Sequence, residues 1–198
     1  MVTASPRRRS QLGQSLVEVA IATPVLIALL LGAFDAAVLI SDKVIAGAAC
    51  RQGARLASEL GGTLTNTSIP AMTWPEADAY IFRNVLAVAK AMNYSNIKQI
   101  YVYSPTEADG NLTIDASGNP TGPDKVDWWN VSGPASAYTV GPTQYSNLGL
   151  NLDQRIQIPP GETPLGVKIR WTYVPPTGLA INVVLTEYAV FLAAPFLA

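Results

Sequence analysis

The stretch RRRSQLGQSLVEVAIATPVLIALLLGAF, residues 7–34, decides how this chain is organised. Three arginines precede a long apolar run, and no charged residue follows Glu18 within the stretch. Drawn as a helix from Leu16 to Ser41, the run would be about 39 Å long, against roughly 30 Å for the hydrocarbon core of a bilayer. The sequence therefore predicts a membrane-spanning helix that carries one carboxylate near its start.

The basic residues around this span predict its orientation. The arginines of residues 7–9 precede the span, so the positive-inside rule places the amino-terminal end in the cytoplasm and the rest of the chain outside. Lys43, Arg51 and Arg55 follow the span and weaken this asymmetry. We expect a single-pass protein of the cytoplasmic membrane with an extracytoplasmic domain.

Three interpretations of the span compete. A cleaved secretory signal needs an apolar stretch of only about 7–15 residues, and Glu18 interrupts the expected start of that stretch. A plain uncleaved anchor accounts for the length alone. The third interpretation also uses Gly13, which precedes Glu18 by five positions after a basic leader. This pattern resembles the type IV prepilin signal, in which a membrane aspartic peptidase cuts directly after the glycine and the apolar helix is retained.

The resemblance implies cleavage between Gly13 and Gln14, with residues 1–13 as a cytoplasmic leader. A new α-amino group on Gln14 would be largely protonated near neutral pH, because its pKa is about 8. A carboxylate at the start of a helix also complements the helix dipole. One charge at the centre of a bilayer costs roughly 3 kcal/mol on insertion scales. Beside the amine of a neighbouring subunit, Glu18 would avoid most of that cost.

Two further residues of the span have expected roles. Pro24 removes one backbone hydrogen bond, which predicts a kink in the helix. Asp35 comes late enough to lie at the outer membrane interface as a solvated carboxylate. The alternative is that Asp35 pairs with another helix inside an assembly.

The predicted helix continues past the membrane, over residues 14–60, for a length of about 70 Å. Gly61-Gly62 is a stop signal. A narrow stripe of mostly small residues at helical spacing permits close approach of another helix or a sheet. The stripe consists of Ala46, Ala49, Gly53, Ala57 and Leu60.

The two helical stretches together resemble the TadE-like family of tight-adherence (Flp) pilus proteins. Members share a G-Q-S-x-V-E opening, a proline in the span, an acidic residue soon after it and an A-A-R-x-G-A-R segment. Cys50 stands where alanine is usual and could form a disulfide between chains outside the cell, and Gln52 stands where glutamate is common. The matching residues are Gly13, Gln14, Ser15, Val17, Glu18, Pro24, Asp35, Ala49, Arg51, Gly53, Ala54 and Arg55.

The resemblance implies a minor pilin or pseudopilin of a bacterial tight-adherence pilus. Its implied partners are prepilin peptidase, other pilins or pseudopilins, the inner-membrane assembly platform and membrane lipid. Processing is implied at Gly13 and Gln14. The implied assembly residues are Glu18, Pro24, Asp35, Arg51, Gly53 and Arg55. An uncleaved single-span protein whose outer domain binds a ligand or partner is the alternative.

Residues 61–198 are predicted to form an extracytoplasmic α+β domain in which a second helix packs on an antiparallel sheet, as in type IV pilins. Residues 105–163 are rich in Gly, Pro and Asn, which predicts short hairpins or a surface excursion. Residues 179–198 are apolar and form either a buried strand against the long helix or a second span. The periodic segments predict a helix over 74–93 and strands over 97–104 and 165–174.

Catalytic and metal chemistry is poorly supported. The chain has no histidine, a single cysteine and a net charge of −1, so we expect no enzyme, no cofactor, no metal centre and no nucleic-acid partner. Residues 107–118 resemble a calcium loop, but Leu112 stands at the glycine turn and Gly118 at the bidentate glutamate. Two turns around the segment LTID are the preferred interpretation, with weak calcium binding as the alternative. Trp128-Trp129 is either an exposed contact patch or an anchor for a loop.

Overall fold

The computed structural model describes residues 7–60, 74–132, 138–146, 149–150, 163–178 and 181–192, with the side chains of 7–13, 74–75 and 140 outside this description. The predicted α+β fold with a long first helix, a second helix and an antiparallel sheet is confirmed. The helices are α1 (Arg7–Glu59) and α2 (Trp74–Ala89). The strands are β1 (Ser95–Ser104), β2 (Lys125–Ser132), β3 (Thr139–Val140), β4 (Gln144–Ser146), β5 (Pro164–Tyr173) and β6 (Val183–Leu192).

Helix α1 begins at Arg7, earlier than the predicted residue 14, and it continues through Pro24. Every side chain from residue 14 to residue 34 is exposed. Asp35 is the first buried residue, and beyond it one face of the helix packs on the domain. The predicted stop at Gly61-Gly62 lies outside the described residues. The helix thus has a free amino-terminal part and a packed carboxy-terminal part.

The sheet has the strand order β3-β2-β1-β5-β6, with β4 also paired to β2, and all described pairs are antiparallel. One face of β5 packs into the core beneath the two helices, as the alternation predicted. The other face is covered where the 105–122 segment folds over it, so Lys168 is also buried. A second small core forms there around Tyr101, Tyr103, Leu112, Val126 and Trp128.

Strand β2 is the largest element that the sequence patterns did not predict. Its interior contains Asp127, a residue typical of turns, but here the carboxylate accepts a hydrogen bond from the backbone N–H of Leu150 at 3.2 Å. Trp128 and Trp129 lie on opposite faces of this strand, and both are buried. Trp129 packs on Phe82 of α2, with ring centroids 5.6 Å apart. The tryptophans therefore anchor the segment to the domain, and the exposed-patch alternative is wrong.

The final described strand, β6, forms the edge of the sheet. It pairs with β5 along its whole length, and Leu185 and Ala189 pack against the core beside α1. Most of its other side chains are exposed or half-exposed, so the prediction of a buried strand was right about the strand and wrong about its burial. Within the described part of the chain, α1 is the one helix long and apolar enough to cross a membrane.

Candidate functional site

The candidate site is the exposed part of α1, residues 14–34, which we call the free helix. Its 21 residues extend about 31 Å, close to the roughly 30 Å of a bilayer core. Glu18 is the one ionisable side chain within it. An apolar surface of this size on an isolated chain marks a lipid or protein contact. Its exposed large apolar residues are Leu16, Val17, Val19, Ile21, Val25, Leu26, Ile27, Leu29, Leu30, Leu31 and Phe34.

Gln14 and Glu18 lie on the same side of the free helix. The Nε2 amide of Gln14 donates to the Glu18 carboxylate at 3.1 Å across one helical turn. The peptide bond between Gly13 and Gln14 lies within α1, one turn before Glu18. The arrangement leaves Glu18 exposed to whatever surrounds the free helix, with a single neutral partner from its own chain among the contacts described.

Asp35 marks the point at which the domain begins to contact α1. The backbone N–H and the hydroxyl of Thr177 both donate to its carboxylate, and the Tyr173 hydroxyl donates to its backbone carbonyl at 2.8 Å. Burial raises the pKa of Tyr173, and the carboxylates of Asp35 and Asp42 add to this effect. The tyrosine therefore stays a donor. Asp35 is buried against its own domain, in contrast to the expected solvated carboxylate.

Asp42 is a docking residue that the sequence patterns missed. Its buried carboxylate accepts hydrogen bonds from the backbone N–H groups of Asn93 and Tyr94, each at 3.3 Å, and from the Ser95 hydroxyl at 2.6 Å. These contacts hold the turn between α2 and β1, where the predicted helix over 74–93 stops early at Ala89. The sequence did contain one signal for this docking role, which is the spacing of the two aspartates. Asp42 follows Asp35 by seven residues and so lies on the same helical face.

The later family-matching residues of α1 lie in two environments. Gly53 is buried, and a Cβ atom at this position would lie 2.4 Å from Cγ2 of Val85 on α2 and 3.2 Å from Cγ1 of Val167 on β5. Arg51 and Arg55 are exposed on the other side, where Arg55 pairs with Glu59 at 2.9 Å. Gly53 thus serves packing within the chain, while the two arginines are accessible to other molecules.

We expect Gly53→Ala to destabilise the domain by about 1–2 kcal/mol, because overpacking outweighs the gain in helix propensity. Gly47→Ala is the matched control on the same helix, since its new Cβ atom would meet only the end of Arg51, at 3.6 Å. That variant should be neutral or more stable by up to about 1 kcal/mol. Urea unfolding of both full-length variants measures the difference. Equal effects of the two substitutions would contradict the packing role.

Cys50 is enclosed between α1 and the sheet. Its side chain is fully buried, and the thiol donates to the carbonyl of Glu187 at 3.2 Å. Burial raises the pKa of Cys50 to about 12, so the reactive thiolate is scarce at neutral pH. A disulfide between chains through Cys50 would therefore require the domain to open locally.

The calcium-like segment is folded by its own turns. Gly110 and Gly118 have φ angles of 69° and 94°, as the two predicted turns require. The Lys168 ammonium donates to Asn111 Oδ1 at 3.0 Å, so a cation already contacts one of the oxygens that a calcium ion would need. Among the described residues there is no cluster of three or more His, Cys, Asp or Glu side chains suited to a metal ion.

A bilayer-length exposed helix that continues into an α+β domain is compatible with a single-pass membrane protein. Residues 13–55 match the model of the family described as TadE-like protein, which confirms the resemblance for this segment. The match associates the chain with proteins of the tight-adherence pilus. It includes all the residues to which processing and assembly roles were assigned. No curated protein and no solved structure matches the chain.

Proposed function

We propose that this protein is a minor pilin or pseudopilin of a tight-adherence (Flp) type IV pilus system. The observation that carries the proposal is the free helix, which lies within the TadE-like match and leaves its whole apolar surface uncovered by the domain. Such a helix can be held first by lipid and then by the helices of other subunits. Its role is assembly or adherence rather than catalysis.

In the proposed mechanism, prepilin peptidase cuts the bond between Gly13 and Gln14 on the cytoplasmic side of the membrane. The free helix stays with the domain and moves from lipid into a bundle of pilin helices. The new ammonium group of Gln14 then supplies a positive charge one turn from Glu18. Glu18 meets this amine on a neighbouring subunit and sets the register between helices, the role best attested for buried polar groups.

The processing step is tested by the intact mass of the protein purified from its native membrane. We expect a chain that begins at Gln14 for the natural sequence and an uncut chain for Gly13→Leu. The matched control is Gly32→Leu, because nothing lies within 4 Å of a Cβ atom at Gly32. This control should be cut normally.

An intact leader on the natural protein would overturn processing after Gly13. It would favour the uncleaved single-span protein whose outer domain binds a ligand or partner. Normal cutting of Gly13→Leu would show that the peptidase recognises a different position.

A further inference from the structure

The turn between β5 and β6 carries an exposed apolar surface. We define the hairpin tip as residues 174–178 and 181–184. Ile181 is 82% exposed and Val184 is 52% exposed. The chain contains no charged residue from 171 to 186, a stretch of 16 residues. The residues between the two strands, 174–182, contain no charged side chain, so the hairpin tip presents an uncharged surface.

The hairpin tip lies beside the outer end of the free helix. Thr177, at the tip, donates to the carboxylate of Asp35, and Tyr173 at the base of the hairpin donates to the Asp35 carbonyl. The free helix ends at residue 34, immediately before this contact. If the free helix spans the bilayer, these contacts hold the tip at the level where α1 leaves the hydrocarbon.

A half-exposed tyrosine lies next to the same surface. The carbonyl of Tyr94 accepts a hydrogen bond from the N–H of Val174 at 2.8 Å, and the Tyr94 side chain is exposed. Tyrosine is enriched at membrane interfaces, because its ring is apolar and its hydroxyl can remain hydrated. An uncharged apolar tip with an adjacent tyrosine matches the boundary between headgroups and acyl chains.

We propose that the hairpin tip inserts into the outer lipid interface and forms a second membrane contact beside the helix. The inference rests on the membrane span of the proposed function. A single helix would leave the domain free to tilt relative to the membrane surface. A second contact beside the helix limits this tilt and keeps the hairpin side of the domain toward the membrane before assembly. Because the tip is uncharged, insertion should not depend on anionic lipid.

The test uses single cysteines labelled with an environment-sensitive nitrobenzoxadiazole dye in the full chain, reconstituted into phosphatidylcholine vesicles with doxyl-labelled acyl chains. Val184→Cys reports on the tip. Leu192→Cys is the matched control, because Leu192 lies on the same face of β6 about 26 Å away and is 65% exposed. Leu26→Cys reports on the free helix. The buried thiol of Cys50 should take up little dye, and the unsubstituted chain measures that background.

We expect doxyl lipids to quench the dye at positions 26 and 184 severalfold more than at 192, with or without anionic lipid.

Quenching at 26 but not at 184 would overturn the tip contact and leave the span intact. Absence of quenching at 26 would overturn the span itself, and the tip proposal with it. Equal quenching at 184 and 192 would mean that the domain lies flat on the membrane. Blue-shifted but unquenched emission at 184 would mean that a second protein chain covers the tip. Equal quenching at 184 and 192, or unquenched emission at 184, would each overturn the proposal.

Discussion

Asp42→Ala is expected to lower the free energy of unfolding of the domain by about 3 kcal/mol. The substitution removes the shared acceptor of two backbone N–H groups and the Ser95 hydroxyl, all at the turn between α2 and β1. A donor left without a partner in a buried position costs about 1–3 kcal/mol. The loss is large because no other carboxylate among the contacts described for this turn can replace Asp42.

The measurement is urea unfolding of the full chain in detergent, followed by tryptophan fluorescence, to which the buried Trp128, Trp129 and Trp171 all contribute. Asp42→Asn should lose less stability, because the amide oxygen can still accept. Lys43→Ala is the control on the adjacent residue. Its contact with Glu187 is 3.6 Å long and the Lys43 side chain is largely exposed, so the pair should contribute at most about 1 kcal/mol. A loss below 1 kcal/mol for Asp42→Ala would contradict the docking role.

Glu18→Gln is expected to leave membrane insertion unchanged and to reduce pilus assembly by more than about tenfold. Glutamine keeps an oxygen that can accept from the Gln14 amide, but it removes the charge that the proposed mechanism pairs with an amine. Leaving one member of a buried ion pair without its partner costs about 3–5 kcal/mol, well above the 1.4 kcal/mol that corresponds to tenfold in an equilibrium.

Pili sheared from cells and quantified by immunoblot measure assembly, and resistance to carbonate extraction measures insertion. Thr23→Ala is the matched control in the same helix, because the Thr23 hydroxyl is exposed and donates only to the carbonyl of Val19 at 2.7 Å in the contacts described. It should leave both quantities unchanged. Normal piliation with Glu18→Gln would remove the assembly role assigned to Glu18.

The elements predicted from the sequence are those whose signals are local. Three signals depend only on neighbours within a few positions: an apolar run of bilayer length, small residues at helical spacing around Gly53, and strict alternation in β5. These signals predicted α1, its close packing on the domain and the best-defined strand. The TadE-like pattern added the processing and assembly hypotheses from the same short segment.

The interpretation failed where a residue's environment depends on distant parts of the chain. Strand β2 was missed because the composition of residues 105–163 is typical of loops and turns. Asp127 contributes to that composition, but in the fold its carboxylate accepts from the N–H group of Leu150, 23 positions away. The apolar segment at β6 suggested burial, but it has a strand on one side only and lies at the edge of the sheet. Periodicity indicates which residues share a face and does not show what covers that face.

The sequence by itself determined that a helix of bilayer length carries one carboxylate near its start, because length, apolarity and charge are properties of the chain. The tertiary structure alone decided where the free part of the helix ends. From the sequence, Asp35 and Asp42 could have faced solvent, lipid or another subunit. In the fold, Asp35 bonds to Thr177 and Asp42 bonds to the turn before β1, so both face their own domain. Those contacts join segments more than 50 residues apart, and only folding brings them together.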